Sequence, residues 1–386
     1  MFYLLALLFV SAPTYVIRFN IGIPVNLLEI LSLAFLLVFA FWLYKNKAVR
    51  DFTQHIEGQP RLMLYFAGLF LLVGFVEALV APNKARGLGL FVALFLEPIL
   101  IYMPASYILS SPLNKLRMVK FMFWYIAGLG LYGLFQYFTL FGLPNAWWGN
   151  SLEPKRALSV FEHPNSFALF LTPLLAFLLP FVFERKLSWY YKLFYLISIA
   201  GLVASLSRGG WLGFAAAVAA YILFFATKRV KIALIAAAII FAGVAYAIPI
   251  LRYRVILAYR GDKSTESRYS LWHTANKMIK DSPVLGKGLQ GFEANFSKYN
   301  TDPTQLPINL AHNIFLNFWV ETGFFGLLLF VLICLFALYR SMRLKGLLAI
   351  GTTLFLIALF THGMVDNPYL KNDLALVFWI ILAFQS

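Results

Sequence analysis

The sequence predicts an all-α protein that crosses a membrane many times, and three observations carry this prediction. Of its 386 residues, 61% are hydrophobic and only 12% are charged, a composition outside the range of water-soluble domains. The hydrophobic residues occur in runs of about 20, the length that an α-helix needs to cross the hydrocarbon core of a bilayer. Lysine and arginine residues cluster in the short segments between these runs, as is typical of charges that set membrane topology.

Twelve hydrophobic runs are predicted to be transmembrane helices. The first lacks a basic segment before it and a convincing cleavage site, so we interpret it as a span and not as a signal peptide. The single cysteine, Cys334, lies inside an apolar run, which predicts a buried structural thiol and excludes a disulfide framework. The predicted spans are 1–17, 24–44, 61–81, 87–111, 119–142, 164–184, 190–206, 210–227, 232–251, 312–338, 346–364 and 372–386.

The distribution of basic residues predicts the orientation of the chain. With the N-terminus in the cytoplasm, the inside loops hold sixteen Lys and Arg residues and the short outside loops hold seven, which agrees with the positive-inside rule. The chain then divides into helices one to nine (1–251), an external or periplasmic loop (252–311) and helices ten to twelve (312–386). The formal net charge of +16 follows from these topology signals, and we predict no nucleic-acid partner.

The external loop has structure of its own. Leu271, Trp272, Ala275, Met278 and Ile279 share one face at helical spacing, which predicts an amphipathic helix that lies either in the lipid headgroups or on the ends of the spans. The sequence Asp-Ser-Pro at 281–283 is predicted to end this helix. The following GKGLQG segment has the letters of a dinucleotide-binding motif, but no βαβ unit surrounds it, so its glycines predict a tight turn.

Four arginines are predicted to lie on the external side without matching carboxylates nearby in sequence. A planar guanidinium can hold two phosphate oxygens at once, which lysine cannot, so these arginines suggest an anionic lipid headgroup or a diphosphate. Simple anchoring at the membrane interface is the alternative reading. We find no metal-ligand spacing and no nucleotide-binding loop, and predict no metal and no cofactor. The four are Arg156, Arg208, Arg260 and Arg268.

Two histidines are candidates for proton transfer. His312 is expected in the first turn of the tenth span, where the helix dipole disfavours imidazolium, and a neutral imidazole beside phosphate-binding arginines is a general-base arrangement. A histidine that only hydrogen-bonds loop carbonyls is the alternative. His163 and the adjacent Glu162 precede the sixth span, where a helix cap and a solvated loop explain them equally well. Glu321, buried deeper in the tenth span, is predicted to be structural and paired, hydrogen-bonded or protonated.

Five segments of the chain resemble the O-antigen ligase/polymerase family of bacterial membrane glycosyltransferases. The resemblance covers roughly residues 150–386 and implies an enzyme that needs no metal, at the outer face of the bacterial inner (plasma) membrane. Such enzymes transfer a preassembled glycan from undecaprenyl diphosphate to an acceptor hydroxyl of lipid A core, of another lipid-linked glycan or of a protein. The segments are RALSVFEHPN, SLSRGG, ESRYSLWHTANKMIKDSPVLGKGLQGF, AHNIFLNFWVETGFFGLLLF and HGMVDNPYLKNDLALVFWIILA.

The resemblance also implies roles for individual residues. Arg208 of SRGG and Arg268 of ESR would hold the diphosphate, and His312 of AHN would orient or deprotonate the acceptor hydroxyl. Tyr269 and Trp272 would stack on sugars, although packing in the core explains them equally well. We therefore predict an O-antigen ligase-like activity, with a polymerase or a protein O-oligosaccharyltransferase as alternatives within the family.

Two other classes of protein stay open. A transporter of lipid-linked glycans would use the same arginines, but we find no paired halves with broken helices in the sequence. A scaffold of a glycan-assembly complex would need neither the arginines nor His312. Under each of these hypotheses, membrane lipids are predicted to surround the protein.

Overall fold

The computed structural model describes residues 1–20, 24–149, 154–184, 187–260 and 262–386. In these ranges its regular secondary structure is helical apart from one short antiparallel hairpin of β1 (Arg18–Asn20) and β2 (Pro24–Asn26). In chain order the helices are α1 (Phe2–Val10), α2 (Leu27–Lys45), α3 (Val49–Glu57), α4 (Arg61–Leu79), α5 (Lys84–Phe91), α6 (Glu97–Leu109), α7 (Pro112–Thr139), α8 (Pro164–Val182), α9 (Trp189–Ala204), α10 (Arg208–Phe224), α11 (Lys228–Ala247), α12 (Pro249–Arg260), α13 (Lys263–Asp281), α14 (Gly291–Tyr299), α15 (Ile314–Arg343), α16 (Leu347–Gly363) and α17 (Asn372–Leu382). A π-helical segment, Val92–Leu96, joins α5 to α6.

Helix length and composition confirm the predicted all-α membrane class. Within the described ranges, seven helices are long and apolar enough to cross a membrane, namely α2, α4, the continuous run from α5 through α6, α7, α8, α11 and α15. Four apolar helices, α9, α10, α16 and α17, are shorter. The predicted span 1–17 is not one helix, because the nine-residue α1 gives way to a 3-10 helix at Ala12–Val16, and α1 alone is too short to cross. The total of twelve spans and the orientation stay predictions.

The chain divides into two compact units. The first comprises Met1–Met118, Arg268–Leu344 and Gly363–Ser386, and the second comprises Val119–Ser267 and Lys345–His362. The division predicted from sequence, into membrane helices and one external loop domain, concerns topology and also stays a prediction.

Aromatic side chains fill the interior of the first unit, where α15 packs on α4 and α17 packs on α6. The rings of Phe318 and Phe330 stack with their centroids 4.3 Å apart. The hydroxyl of Tyr369 donates to the carbonyl of Leu94 at 2.8 Å and accepts from the indole of Trp379 at 3.1 Å. Because buried polar atoms are stable only when they are hydrogen-bonded, this chain of contacts fixes the segment that precedes α17.

Helix α15 is broken at Gly323, and the turn after α13 docks into the break. Gly323 has φ 62° and ψ −171°, and a Cβ atom there would lie 2.0 Å from the carbonyl oxygen of Val284. The amide of Phe324 donates to Val284 at 3.1 Å, and the amide of Lys287 donates to Val320 at 2.7 Å. Only glycine can adopt this conformation at so close an approach. The tight turn predicted for GKGLQG is confirmed, since Gly286 and Gly288 both have positive φ.

Glu321 lies just before the break and is structural, as predicted. Its Oε1 accepts a hydrogen bond from the amide of Phe292 at 3.0 Å, and its Oε2 accepts one from the amide of Gln290. These amides belong to the start of α14, which offers unpaired N–H groups. The carboxylate therefore caps α14 and ties it to α15.

The amphipathic face predicted for residues 271–279 packs against protein. Leu271, Ala275, Met278 and Ile279 of α13 are buried in one cluster with residues of α14 and α15. Of the two predicted placements, the structure shows packing on the neighbouring helices. The helix ends at Asp281, as the Asp-Ser-Pro sequence predicts.

In the second unit, α10 packs closely on α8. A Cβ atom at Gly210 would lie 2.9 Å from that of Ala168 and 3.1 Å from the hydroxyl of Thr172. Glycine at this position lets the two backbones approach, as small residues commonly do between membrane helices. The approach fixes the start of α10, which carries Arg208.

Candidate functional site

His312 and Asp366 form the centre of the candidate site in the first unit. The Nδ1 atom of His312 lies 2.8 Å from Oδ1 of Asp366, and Asp366 also accepts from the amide of Asn367 at 3.0 Å. The carboxylate side chain is 6% exposed, whereas the imidazole is 33% exposed. A ring whose Nδ1–H is held by a carboxylate keeps Nε2 as its proton acceptor. The pair therefore presents a hydrogen-bonding nitrogen that solvent or a substrate can reach.

Two side chains, those of Trp272 and Asn313, hold the backbone around His312. His312 has φ 49°, a left-handed conformation that costs energy for a residue other than glycine. Its carbonyl accepts from the indole of Trp272 at 3.3 Å. Asn313 caps α15 through the amides of Phe315 and Leu316 and donates to the carbonyl of Met364 at 3.0 Å.

This placement corrects one expectation about His312. The helix begins at Ile314 with Asn313 as its N-cap, so His312 precedes the helix and does not belong to its first turn. The sequence placed the imidazole at a helix dipole, whereas the structure places it against the carboxylate of Asp366.

Arg268 and two aromatic residues lie beside this pair. The Nε atom of Arg268 donates to the carbonyl of Val365 at 2.8 Å, on the same loop as Asp366. Tyr269 is 64% exposed and meets Trp272 edge to face, with ring centroids 5.6 Å apart. The structure therefore groups Arg268, Tyr269 and Trp272 with the imidazole in one region of the first unit.

Arg208 is the first residue of α10 in the second unit, and it is not unpaired as the sequence suggested. Its Nη2 lies 2.9 Å from both carboxylate oxygens of Asp262. Asp262 also accepts from the amide and hydroxyl of Thr265 at 2.9 and 2.8 Å, and so caps α13. Burial raises the pKa of Asp262, but the hydrogen bonds from Arg208 and Thr265 outweigh burial and hold that pKa below its usual value.

Two further arginines brace the turn that precedes Arg208. Leu206 in this turn has φ 50°, and its carbonyl accepts from Nη2 of Arg254 at 3.1 Å. Arg156 donates from Nε to the carbonyl of Ser205 at 2.9 Å and from Nη2 to Asn165 at 2.6 Å. The side chains of Arg254 and Arg156 thus fix a strained turn, and this turn positions Arg208, which follows it.

The remaining predicted residues have simpler surroundings. His163 caps α8, because its Nδ1 accepts from the amide of Asn165 at 3.0 Å, and its ring meets Trp147 edge to face at 4.5 Å. Glu162 is exposed. Arg260 is the last residue of α12, and its side chain lies outside the described part of the structure. In that part no three His, Cys, Asp or Glu side chains are grouped as metal ligands.

Two carboxylates that organise these sites were missed by the sequence reasoning. Asp262 and Asp366 each lie 54 residues from the side chain that they hold, so no local pattern pairs them. A weak signal existed for Asp262, because an aspartate directly before a polar helical segment is typical of a helix N-cap. Nothing in the sequence assigned Asp366 to His312.

Comparison with known proteins confirms the predicted family resemblance. Residues 193–331 match the family model described as O-Antigen ligase, a segment that contains Arg208, Asp262, Arg268 and His312. An uncharacterized protein of Haemophilus influenzae is 28% identical over 174 residues, which cover 39% of this chain and 43% of that protein. The match thus spans less than half of the length of this relative.

Proposed function

Because residues 193–331 carry the O-antigen ligase family segment, we propose that the protein is a membrane glycosyltransferase of this type. Its donor is a preassembled glycan on undecaprenyl diphosphate, and its acceptor is a hydroxyl such as one on lipid A core. We place the reaction at the outer face of the bacterial inner membrane. No metal or cofactor takes part in the proposed reaction.

The observation that carries this proposal is the His312–Asp366 pair at 2.8 Å. A general base must present a lone pair towards the hydroxyl that it deprotonates. Asp366 selects the tautomer in which Nε2 has that lone pair, and its negative charge stabilises the imidazolium that forms when the proton arrives. The same division of labour between imidazole and carboxylate operates in Ser-His-Asp enzymes.

The proposed step transfers the glycan from the diphosphate to the acceptor hydroxyl. The acceptor oxygen attacks the anomeric carbon of the donor glycan, and the bond from that carbon to the diphosphate oxygen breaks. The electron pair of this bond leaves with undecaprenyl diphosphate, while the hydroxyl proton passes to Nε2 of His312. Arg208 and Arg268 neutralise the charge that develops on the diphosphate, since fixed cations stabilise such a leaving group more in a partly buried site than in water.

Other predicted residues have secondary roles in this proposal. Tyr269 offers an exposed ring on which an acceptor sugar can stack, and Trp272 holds the backbone of His312 while its ring borders the same region. Arg156 supports Arg208 through the preceding turn, and Arg260 is a further phosphate contact. Glu162 and His163 are proposed as outer contacts of a glycan.

A reconstituted transfer assay tests the proposal. The purified protein in liposomes is given a glycan on undecaprenyl diphosphate together with lipid A core, a second lipid-linked glycan or a hydroxyl-bearing peptide, and products are identified by gel and mass spectrometry. We expect transfer to lipid A core. Transfer only to the second glycan or only to the peptide would instead identify a polymerase or a protein O-oligosaccharyltransferase.

A matched pair of arginine variants separates catalysis from other functions. Arg208→Gln should abolish most transfer, whereas Arg86→Gln should keep it, although Arg86 is also salt-bridged, to Glu293 at 3.5 Å. Movement of the lipid-linked glycan across the vesicle without transfer to any acceptor would indicate a transporter. Full activity of the Arg208→Gln variant would contradict the proposed role of this guanidinium.

A further inference from the structure

Asp262 already occupies the guanidinium that the proposed function assigns to the diphosphate. One nitrogen of Arg208 lies at 2.9 Å from both oxygens of the carboxylate, and both side chains are largely buried, with 18% and 14% exposure. Buried pairs of this kind are screened much less by salt than surface pairs. Arg208 is therefore electrically neutralised in this structure.

A diphosphate cannot share this position with an ionised carboxylate. The hydrogen bonds that hold the pKa of Asp262 below its usual value keep it ionised at neutral pH. Two anions a few ångströms apart in a partly buried site repel each other strongly. Donor binding at Arg208 thus requires Asp262 to move away from the guanidinium.

The contacts of Asp262 permit this movement. The amide and hydroxyl of Thr265 both donate to Oδ1, and Arg208 donates to Oδ1 and Oδ2. Asp262 therefore keeps two hydrogen-bond donors when the two side chains separate. On the other side, the Nη1 atom of Arg208 is buried with no hydrogen-bond partner among the described residues. The guanidinium can therefore bind a further acceptor at Nη1, and the carboxylate bound at Nη2 can be exchanged for another acceptor.

We propose that Asp262 is an internal competitor for the diphosphate, bound to Arg208 in the empty protein and displaced by the donor. This inference rests on the proposed function. The product undecaprenyl diphosphate keeps the same diphosphate group as the donor, and the return of Asp262 to Arg208 speeds its release. The carboxylate thereby sets the affinity of the site for both donor and product.

The variant Asp262→Asn tests the competition directly. The amide oxygen still accepts from Thr265, and asparagine caps helices as well as aspartate does, while the negative charge is lost. Binding of inorganic pyrophosphate and of undecaprenyl diphosphate is measured on purified protein in nanodiscs. We expect the Kd for both ligands to fall by roughly tenfold, because neither ligand then has to break the charge-assisted hydrogen bond between Arg208 and Asp262.

Asp302→Asn is the matched control. Asp302 accepts from the amide and hydroxyl of Thr304 at 2.9 and 2.6 Å, the same local pattern, but no salt bridge to an arginine is found for it among the described residues. This control should leave the Kd unchanged. A thermal unfolding curve for each variant shows that the comparison concerns folded protein.

The variant Arg208→Gln separates failure of this inference from failure of the proposed function. If pyrophosphate binding depends on Arg208 but Asp262→Asn leaves it unchanged or weakens it, Asp262 orients the arginine or is neutral, and the competition is refuted. If binding of both ligands is the same with and without Arg208, the diphosphate site itself is wrong. If Asp262→Asn binds both ligands more tightly, and this gain disappears in the double variant with Arg208→Gln, the competition and the diphosphate site are both supported.

Discussion

Replacing Gly323 by alanine should destabilise the protein severely. Its φ of 62° and ψ of −171° lie in a region open almost only to glycine, which costs another residue about 1–3 kcal/mol. The new Cβ would also stand 2.0 Å from the carbonyl oxygen of Val284, so the turn must retreat from the break in α15. Retreat weakens three hydrogen bonds, from the Phe324 amide, the Lys287 amide and the Trp319 indole, each with a net value of about 0.5–1.5 kcal/mol.

These contributions add to about 2.5–7.5 kcal/mol, a large part of the roughly 5–15 kcal/mol that stabilises a typical folded protein. Thermal unfolding of purified protein in detergent, followed by tryptophan fluorescence, measures the effect. Gly243→Ala is the control, because Gly243 lies in α11 without a positive φ, and an added methyl group there would meet no neighbouring atom within 4 Å. The unfolding midpoint of this control should stay the same or rise slightly. Equal unfolding midpoints for Gly323→Ala and the parent protein would contradict the role of Gly323 and the docked turn in stability.

Three further predictions concern the site and its orientation. Arg268→Lys keeps the charge but loses the planar guanidinium and its bond to Val365, so transfer should fall about tenfold or more, and normal turnover would contradict a diphosphate clamp. Trp272→Phe keeps a ring but loses the hydrogen bond to His312, so kcat should fall by about tenfold with donor binding unchanged, and an unchanged kcat would show that the contact does not position the base. Ser264→Cys should react with a membrane-impermeant reagent from outside, with little background from the buried Cys334, whereas reaction only in inverted vesicles would reverse the topology.

Local features of this fold are predictable because they depend on neighbouring residues. Proline at position 164 marks the start of α8, and the Asp-Ser-Pro sequence marks the end of α13. The buried face of α13 follows from helical spacing alone. The same spacing cannot show what covers that face. The sequence therefore predicted equally that α13 lies in the lipid headgroups or packs on other helices.

The decisive contacts of the site depend on long-range packing instead. Arg208 and Asp262 lie 54 residues apart, as do His312 and Asp366, and a single sequence carries no sign of either pairing. The break at Gly323 was not predicted, although Glu321 and Thr322 interrupt the apolar run directly before it. Only the docked turn shows why glycine is needed there.

The Arg208–Asp262 pair does not limit transfer at neutral or mildly acidic pH. The lowered pKa of Asp262 means that its charge is lost only when the pH falls below the ordinary range of an aspartate, about 3.9. Between pH 5 and 8 the Arg208–Asp262 pair therefore keeps its charges. Loss of activity in that window must come from another group.

His312→Gln removes the nitrogen that is proposed to take the acceptor proton and keeps a side chain that can form hydrogen bonds. Initial rates of glycan transfer at saturating donor and the Kd for undecaprenyl diphosphate are measured for the parent protein and the variant. The variant should be slower by about 10²- to 10⁴-fold and should bind undecaprenyl diphosphate normally. A variant that transfers glycan at the parent rate would contradict the role of His312 as the base.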